Sequence, residues 1–329
     1  ALVDAGDRGR RLVGRSRVPV RAEVCDLCTN HCKLSVAEVD GETVAYGFLC
    51  GRDYHTRRFV DANRSGFDAR RIRRRAFRLP AARVRPRSAT VGIPAALHLV
   101  EDLARWRMFF QRLGIATVTS EGCTDALKRG RRVAGAEFCA PVTALHGHVD
   151  FLLEQADYVF LPAHIEHKSE RRGVRRQLCY YTQYADTLAL TAVGDAKRDR
   201  LLSPLVDYLY SRFHTRAELY RMVRRLCGKR VSFLEVSHAW EQAEAFVRSG
   251  RRRLREAWRQ AAAGDRMRVL LLGRPYTVLS ADMNKRIPEM FAALGVPTGY
   301  QDMLPIDPQP ADDIRPLTDE LHWHHAARI

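Results

Sequence analysis

Ala89-Thr-Val-Gly-Ile-Pro-Ala-Ala-Leu-His-Leu-Val-Glu-Asp-Leu-Ala-Arg-Trp-Arg-Met-Phe-Phe-Gln-Arg-Leu-Gly114 is the stretch on which the fold turns. It opens with a short apolar run that ends at Pro94, the pattern of a buried strand. From Leu97 to Leu113 apolar residues then recur at helical spacing through Leu99, Leu103, Trp106, Phe109 and Phe110. Gly114 stops that helix, and Ile115-Ala-Thr-Val-Thr119 follows at once as a second strand. Strand, helix and strand in so few residues predict a βαβ unit with parallel strands.

The same alternation continues outward. Thr124–Arg132 reads as a helix, and Cys139-Ala-Pro-Val-Thr-Ala-Leu-His146-Gly-His148 leads into another that runs to Leu153. Tyr158-Val-Phe-Leu-Pro162 is a third buried strand. The pattern from Leu201 to Ala263 is helical almost throughout, including Leu205-Val-Asp-Tyr-Leu-Tyr210. Met267-Arg-Val-Leu-Leu-Leu-Gly-Arg-Pro-Tyr276 then opens a second parallel unit, with a helix near Asn284–Leu294 and a strand at Val296–Tyr300. The expected fold class is α/β: a small Cys-rich metal module followed by tandem doubly wound parallel-sheet domains joined by a helical bridge. The expected divisions are a linker (1–19), a four-cysteine metal module (20–55), an Arg-rich connector with one short helix (56–87), a first Rossmann-like domain (88–200), the bridge (201–265) and the start of a second α/β domain (266–329). The terminal stretch Leu321–Ile329 is a helical pattern without a cap, and the first residue is not methionine, so the chain reads as a fragment of a larger protein.

Four of the eight cysteines fall upstream, in Cys25-Asp-Leu-Cys28-Thr-Asn-His-Cys32 and Phe48-Leu-Cys50-Gly-Arg52, with the spacing C-x2-C-x3-C-x17-C. Between the third and fourth lie two alternating strands around the turn Asp40-Gly41, a hairpin that would return Cys50 to the others. Thiolates at this spacing suit one metal centre. Three cysteines bunched on one loop with a remote fourth favour a [4Fe–4S] cluster, and structural zinc is the alternative. Free buried thiols or a disulfide remain a blander account, and His31 reads as a solvated turn residue. With no charged-then-apolar leader, reduced cysteines in a cytoplasm are the expectation.

No apolar run is long enough for a bilayer, so membrane insertion is not expected. A net charge of +17 raises nucleic acid as a partner. Only six of the 55 basic residues are lysine, however, and the arginines are spread through every segment with no interleaved aromatic residues to stack bases. A solvated, arginine-biased surface is the preferred reading, with a basic nucleic-acid-binding protein kept as an alternative.

Several stretches together resemble the acyl-CoA dehydratase activase-related proteins, relatives of the 2-hydroxyglutaryl-CoA dehydratase system. They are Cys25-x2-Cys28-x-Asn30-x-Cys32-x-Leu34 with Cys50-Gly-Arg52; Val91-Gly-Ile-Pro-Ala-Ala-Leu97; Phe138-Cys-Ala-Pro141-x4-His146-Gly-His148; and Leu272-Gly-Arg-Pro-Tyr276 with Asn284-Lys-x-Ile-Pro288. Long members of that family join an ATP-hydrolysing activase to a region like this one, which is similar to the dehydratase subunit fold. The resemblance implies an iron–sulfur electron-transfer component, with an ATPase activase domain or subunit and a dehydratase- or reductase-type protein as partners. It also implies Cys139 as a cluster ligand in the first parallel domain and Cys179 as another. At the second position Tyr180 replaces the family's usual proline, and Ala163 stands where some relatives have cysteine, so the match to a second cluster motif is incomplete. Buried structural thiols are the competing account of both.

Other residues carry weaker signals. His164-x2-His167 follows a strand end without a carboxylate or cysteine at ligand spacing. His146 and His148 read as solvated residues flanking a packing glycine, Gly147. Arg274, leaving its strand beside Pro275, could meet a phosphate or carboxylate. Cys123 and Cys227 read as structural. No general acid, base or nucleophile stands out, so the sequence names no substrate.

Overall fold

The structure is a computed structural model that describes residues 18–27, 30–50, 52–56, 63–81, 87, 89–167, 176–206 and 212–305. The chain divides into two compact units, residues 1–61 and 62–329.

The first unit is an antiparallel sheet of β1 (Val20–Val24), β2 (Lys33–Val39) and β3 (Glu42–Tyr46) in that order. Asp40 and Gly41 turn the β2–β3 hairpin with φ of 49° and 81°, the left-handed pair that a two-residue turn of this hand requires. Strand β2 alternates, and its inward residues Leu34 and Val36 pack with Cys25 and Cys32 to form a small core.

In the second unit, α1 (Ala69–Ala76) precedes β4 (Thr90–Ile93), α2 (Leu99–Arg112), β5 (Ala116–Thr119), α3 (Ala126–Val133), α4 (Ala140–Leu153) and β6 (Tyr158–Phe160). The short strands β7 (Ala163–His164), β8 (Glu166–His167) and β9 (Arg176–Gln177) lead to α5 (Tyr180–Gln183) and α6 (Ala185–Val193). Then come β10 (Leu201–Leu202), β11 (Leu205–Val206), α7 (Arg212–Cys227) and α8 (Phe233–Ala261). The remaining elements are β12 (Val269–Leu271), α9 (Pro275–Leu279), α10 (Ala281–Asn284), α11 (Ile287–Ala293) and β13 (Thr298–Tyr300).

Four parallel strands form the main sheet in the order β10-β6-β4-β5, with Thr90 opposite Ala116 and Val91 opposite Tyr158. Strands β12 and β13 form a separate parallel pair. The βαβ reading around Ala89–Gly114 and the second parallel unit from Met267 both match these elements, as does the short helix expected in the Arg-rich connector.

The expected bridge begins differently. Leu201–Leu202 and Leu205–Val206 are strands rather than helix: the first pairs with β6 in the main sheet and the second with β7 in a separate two-stranded sheet, both in parallel. Of the helices that follow, α7 and the first half of α8 pack into the first domain's core, while Leu254 and Trp258 further along α8 pack in a second core with Val278 and Tyr300. Trp240 of α8 lies 5.4 Å from Trp106 of α2, ring to ring, and Phe109 also meets it. Ion pairs Arg105–Glu244 and Arg251–Glu101 flank this contact. Removing a fully buried ring such as Trp106 costs on the order of 3–5 kcal/mol. Helix α8 starts on a capping box, with the Ser232 hydroxyl accepting from the Glu235 N–H and the Glu235 carboxylate accepting from the Ser232 N–H.

Helices α3 and α4 approach so closely that side chains are excluded where they cross. A Cβ on Gly147 would stand 1.9 Å from the Ala126 carbonyl oxygen, and one on Gly130 would stand 1.8 Å from that of Thr143. Ala126-x3-Gly130 and Thr143-x3-Gly147 thus interlock backbone to backbone, which fixes where α4 begins. At the other end of the unit, Arg73 of α1 is ion-paired with the buried Asp302. No helix among the described residues is long and apolar enough to cross a membrane.

Candidate functional site

In the first unit, the β1–β2 ladder runs one step past its last paired residues. The Cys25 N–H donates to the Cys32 carbonyl at 2.9 Å, so the two cysteines face each other at the end of the sheet. Both are buried, at 7% exposure each. Arg52 donates through Nη2 to the Cys25 sulfur at 2.9 Å. Its guanidinium lies over the Phe48 ring, 4.5 Å from the centroid, and also donates to the Thr56 carbonyl. Cys50 is half-buried, and Cys28 lies outside the described residues. Among the described residues no group of three or more His, Cys, Asp or Glu side chains is placed to hold a metal ion. The donors still fit zinc or an iron–sulfur cluster in chemistry: the sequence supplies four sulfurs, two are buried neighbours, and one already accepts an N–H.

In the second unit, Cys139 and Cys179 occupy equivalent positions. Each is the residue immediately before a helix, α4 or α5, with extended backbone at φ of −60° and −61°. The carbonyl of each accepts the first N–H groups of its own helix. Cys139 is exposed and Cys179 half-buried, with its sulfur 3.1 Å from the Thr182 hydroxyl. Phe138 ties the two segments together by stacking on His146 of α4 and meeting Tyr181 of α5 edge-on at 5.6 Å.

Arg274 and Tyr276 form a second polar pair in this unit. Arg274 leaves the end of β12 and donates to the Tyr276 hydroxyl at 2.9 Å. That bond raises the Arg274 pKa, burial opposes it, and electrostatic interaction with the Cys179 and Cys139 sulfurs raises it slightly further. Burial raises Tyr276, and the same two sulfurs add to the effect. Both thiols are therefore electrostatic neighbours of one guanidinium beyond the carboxyl end of a strand, where α/β folds gather their ligands. Arg274 was legible in the sequence as a strand-end fork. Tyr276 was missed, although the Arg-Pro-Tyr turn that places it was in view.

The remaining candidates separate clearly. Burial raises the Cys123 thiol to about 11 and also raises Cys227, as expected of structural cysteines. His146 and His148 are buried rather than solvated, because α4 is apolar on nearly every side. Desolvation lowers His148 to about 4, although its ring donates to the Ser120 backbone carbonyl, which acts the other way. Gly147 is the packing glycine that was expected. His164 is buried against His98, ring centroids 5.6 Å apart, and the His167 side chain lies outside the described residues. His31 is exposed in its turn.

Residues 90–304 match the family model described as CoA enzyme activase uncharacterised domain (DUF2229). The chain belongs to this CoA enzyme activase domain family. The match takes in more than half of the chain, including the main sheet, Cys139, Cys179, Arg274 and Tyr276, and begins after the N-terminal unit. No curated protein and no solved structure matches the chain.

Proposed function

We propose that this CoA enzyme activase-family chain is an iron–sulfur electron-transfer component of an ATP-dependent 2-hydroxyacyl-CoA dehydratase- or reductase-type activation system. It would work with an ATP-hydrolysing activase domain or subunit and a dehydratase- or reductase-type partner. The observation that carries this reading is that Cys139 and Cys179 each open a helix, and that Phe138 ties those two helices together, inside the family domain. A bound [4Fe–4S] cluster would supply a one-electron carrier whose potential follows its charge, hydrogen bonds and exposure.

Cys25, Cys28, Cys32 and Cys50 would hold such a cluster in the N-terminal unit. Cys139 and Cys179 would offer two sulfurs to a second centre, which is half the usual protein ligand set, so the rest must come from outside the described residues. At that place the Arg274 guanidinium offsets negative charge on the sulfurs, and the Tyr276 hydroxyl holds the guanidinium in position. The amino end of α4 favours the same charge. The exposure of Cys139 leaves the pair open to a docking protein.

A second reading, structural zinc in the N-terminal unit, is favoured by the facing of Cys25 and Cys32 at the end of an antiparallel sheet. Iron and acid-labile sulfide measured on anaerobically purified chain decide between them. Iron with sulfide, reduced by Cys25→Ser and separately by Cys139→Ser, is the expected result. Zinc alone, without visible absorbance, would replace the electron-transfer reading with the structural one.

A further inference from the structure

We infer that Arg52 is a positioning residue for a metal centre at the N-terminal cysteines, acting as the N–H donor to the Cys25 sulfur. The inference rests on the reading that these cysteines hold a metal. The side chain is fixed on three sides: Nη2 is 2.9 Å from the Cys25 sulfur, Nη1 donates to the Thr56 carbonyl, and the plane lies over Phe48. Cys25 is buried, so the N–H···S contact is shielded from water and cannot be replaced freely by a solvent donor. The remaining guanidinium nitrogen, Nε, is buried without a hydrogen-bond partner among the described residues. A surface arginine has no reason to accept that cost, whereas an arginine held against a metal-bound thiolate would recover it electrostatically.

The chemistry follows from the direction of the bond. An N–H donor withdraws electron density from a ligating sulfur, which stabilises the more negative state of the centre and raises its reduction potential. It also orients the sulfur before the metal arrives. Lysine could supply a donor but not the planar fork that reaches Thr56 and stacks on Phe48 at once.

The test uses the full chain carrying Cys139→Ser and Cys179→Ser, so that the N-terminal cysteines remain as the clustered sulfurs. Cobalt(II) is titrated anaerobically as the probe, and thiolate-to-metal charge-transfer absorption is followed. The expected results are an intense charge-transfer band in the parent, a 10- to 100-fold weaker affinity in Arg52→Gln, and a band moved to longer wavelength as the sulfur becomes the better electron donor. Arg52→Lys should fall between the two in both readings. With iron and sulfide reconstituted instead, the midpoint potential of Arg52→Gln should lie below that of the parent.

Equal affinity and an unmoved band in both variants would overturn the inference while leaving the metal reading intact. Weaker binding with an unmoved band in Arg52→Lys would also overturn it, since arginine would then only support the fold. A parent that binds neither cobalt nor iron would remove the metal reading itself, and the inference with it.

Discussion

Gly147→Ala tests whether α4 stands where the crossing with α3 puts it, and so whether Cys139 is correctly placed. Two effects oppose each other. Alanine in a helix interior gains about 1 kcal/mol over glycine. Against this, the new Cβ would stand 1.9 Å from the Ala126 carbonyl oxygen, with the Ala126 carbonyl carbon and Cα at 2.7 and 2.9 Å. A carbon–oxygen contact relaxes only at about 3.3 Å, and none of the opposing atoms belongs to a side chain that could rotate away. The helices must part by more than about 1 Å along their crossing, an overpacking cost at the upper end of about 1–3 kcal/mol. The clash wins, and the net expectation is a loss of about 2 kcal/mol. For a unit of this size that lowers the Tm by about 4–8 °C. Urea unfolding followed by circular dichroism, with a parallel thermal scan, measures both. Gly135→Ala, where a Cβ meets nothing within 4 Å, should stay within about 0.5 kcal/mol of the parent. Combining Gly147→Ala with Gly130→Ala should cost less than the sum, because one separation relieves both contacts. A Gly147→Ala chain as stable as the parent would refute the backbone contact and, with it, the placement of α4 and Cys139.

His148, lowered from 6.5 to about 4 by burial, binds its proton less readily folded than unfolded; its contribution of about 3 kcal/mol is complete above pH 6.5 and lost as pH falls towards 4. Urea midpoints between pH 7 and 4 should show this slope in the parent and a flatter one in His148→Gln. Asp302→Asn strands the Arg73 cation, whose own pKa burial lowers to about 10, and should cost about 3 kcal/mol in equilibrium unfolding. Removing the exposed Arg221–Glu218 pair should change little by comparison. In a chain with Cys25, Cys28, Cys32 and Cys50 replaced by serine, dibromobimane should bridge Cys139 and Cys179 into a fluorescent adduct that a further Cys139→Ser or Cys179→Ser abolishes; undiminished fluorescence after Cys139→Ser would separate the two thiols. Mass-spectrometric labelling at neutral pH should find Cys139 modified early and Cys123, with its thiol raised to about 11, only after unfolding.

The alternation of strands and helices was readable because each change of period fell beside a Gly or Pro, as at Pro94 and Gly114. Leu205-Val-Asp-Tyr-Leu-Tyr210 misled for a physical reason. A short apolar run has no period of its own, and here pairing with β7, supplied by residues far upstream, makes Leu205–Val206 extended. The histidines of α4 were misread because their burial depends on α3 and α6 closing over them, which no local pattern records. Cys139 and Cys179 stood out in the sequence, but the electrostatic link of both to Tyr276 did not, since the three come from three separate turns. The Arg73–Asp302 pair was equally hidden, its partners being 229 residues apart.

The contact between Trp106 and Trp240 has a consequence for how the chain is made. Synthesis delivers β4, α2 and β5 first, and these can pair locally while the rest is still to come. Trp106 meets Phe160 of β6, but the side of Trp106 and Phe109 that Trp240 covers stays open until α8 has been made, and the sheet lacks β10 until residues 201–202 are available. Until then the nascent protein displays aromatic surface and an open strand edge. Truncation near residue 200, at the boundary the sequence suggested, would make that exposure permanent and yield a sticky, aggregating fragment instead of a domain.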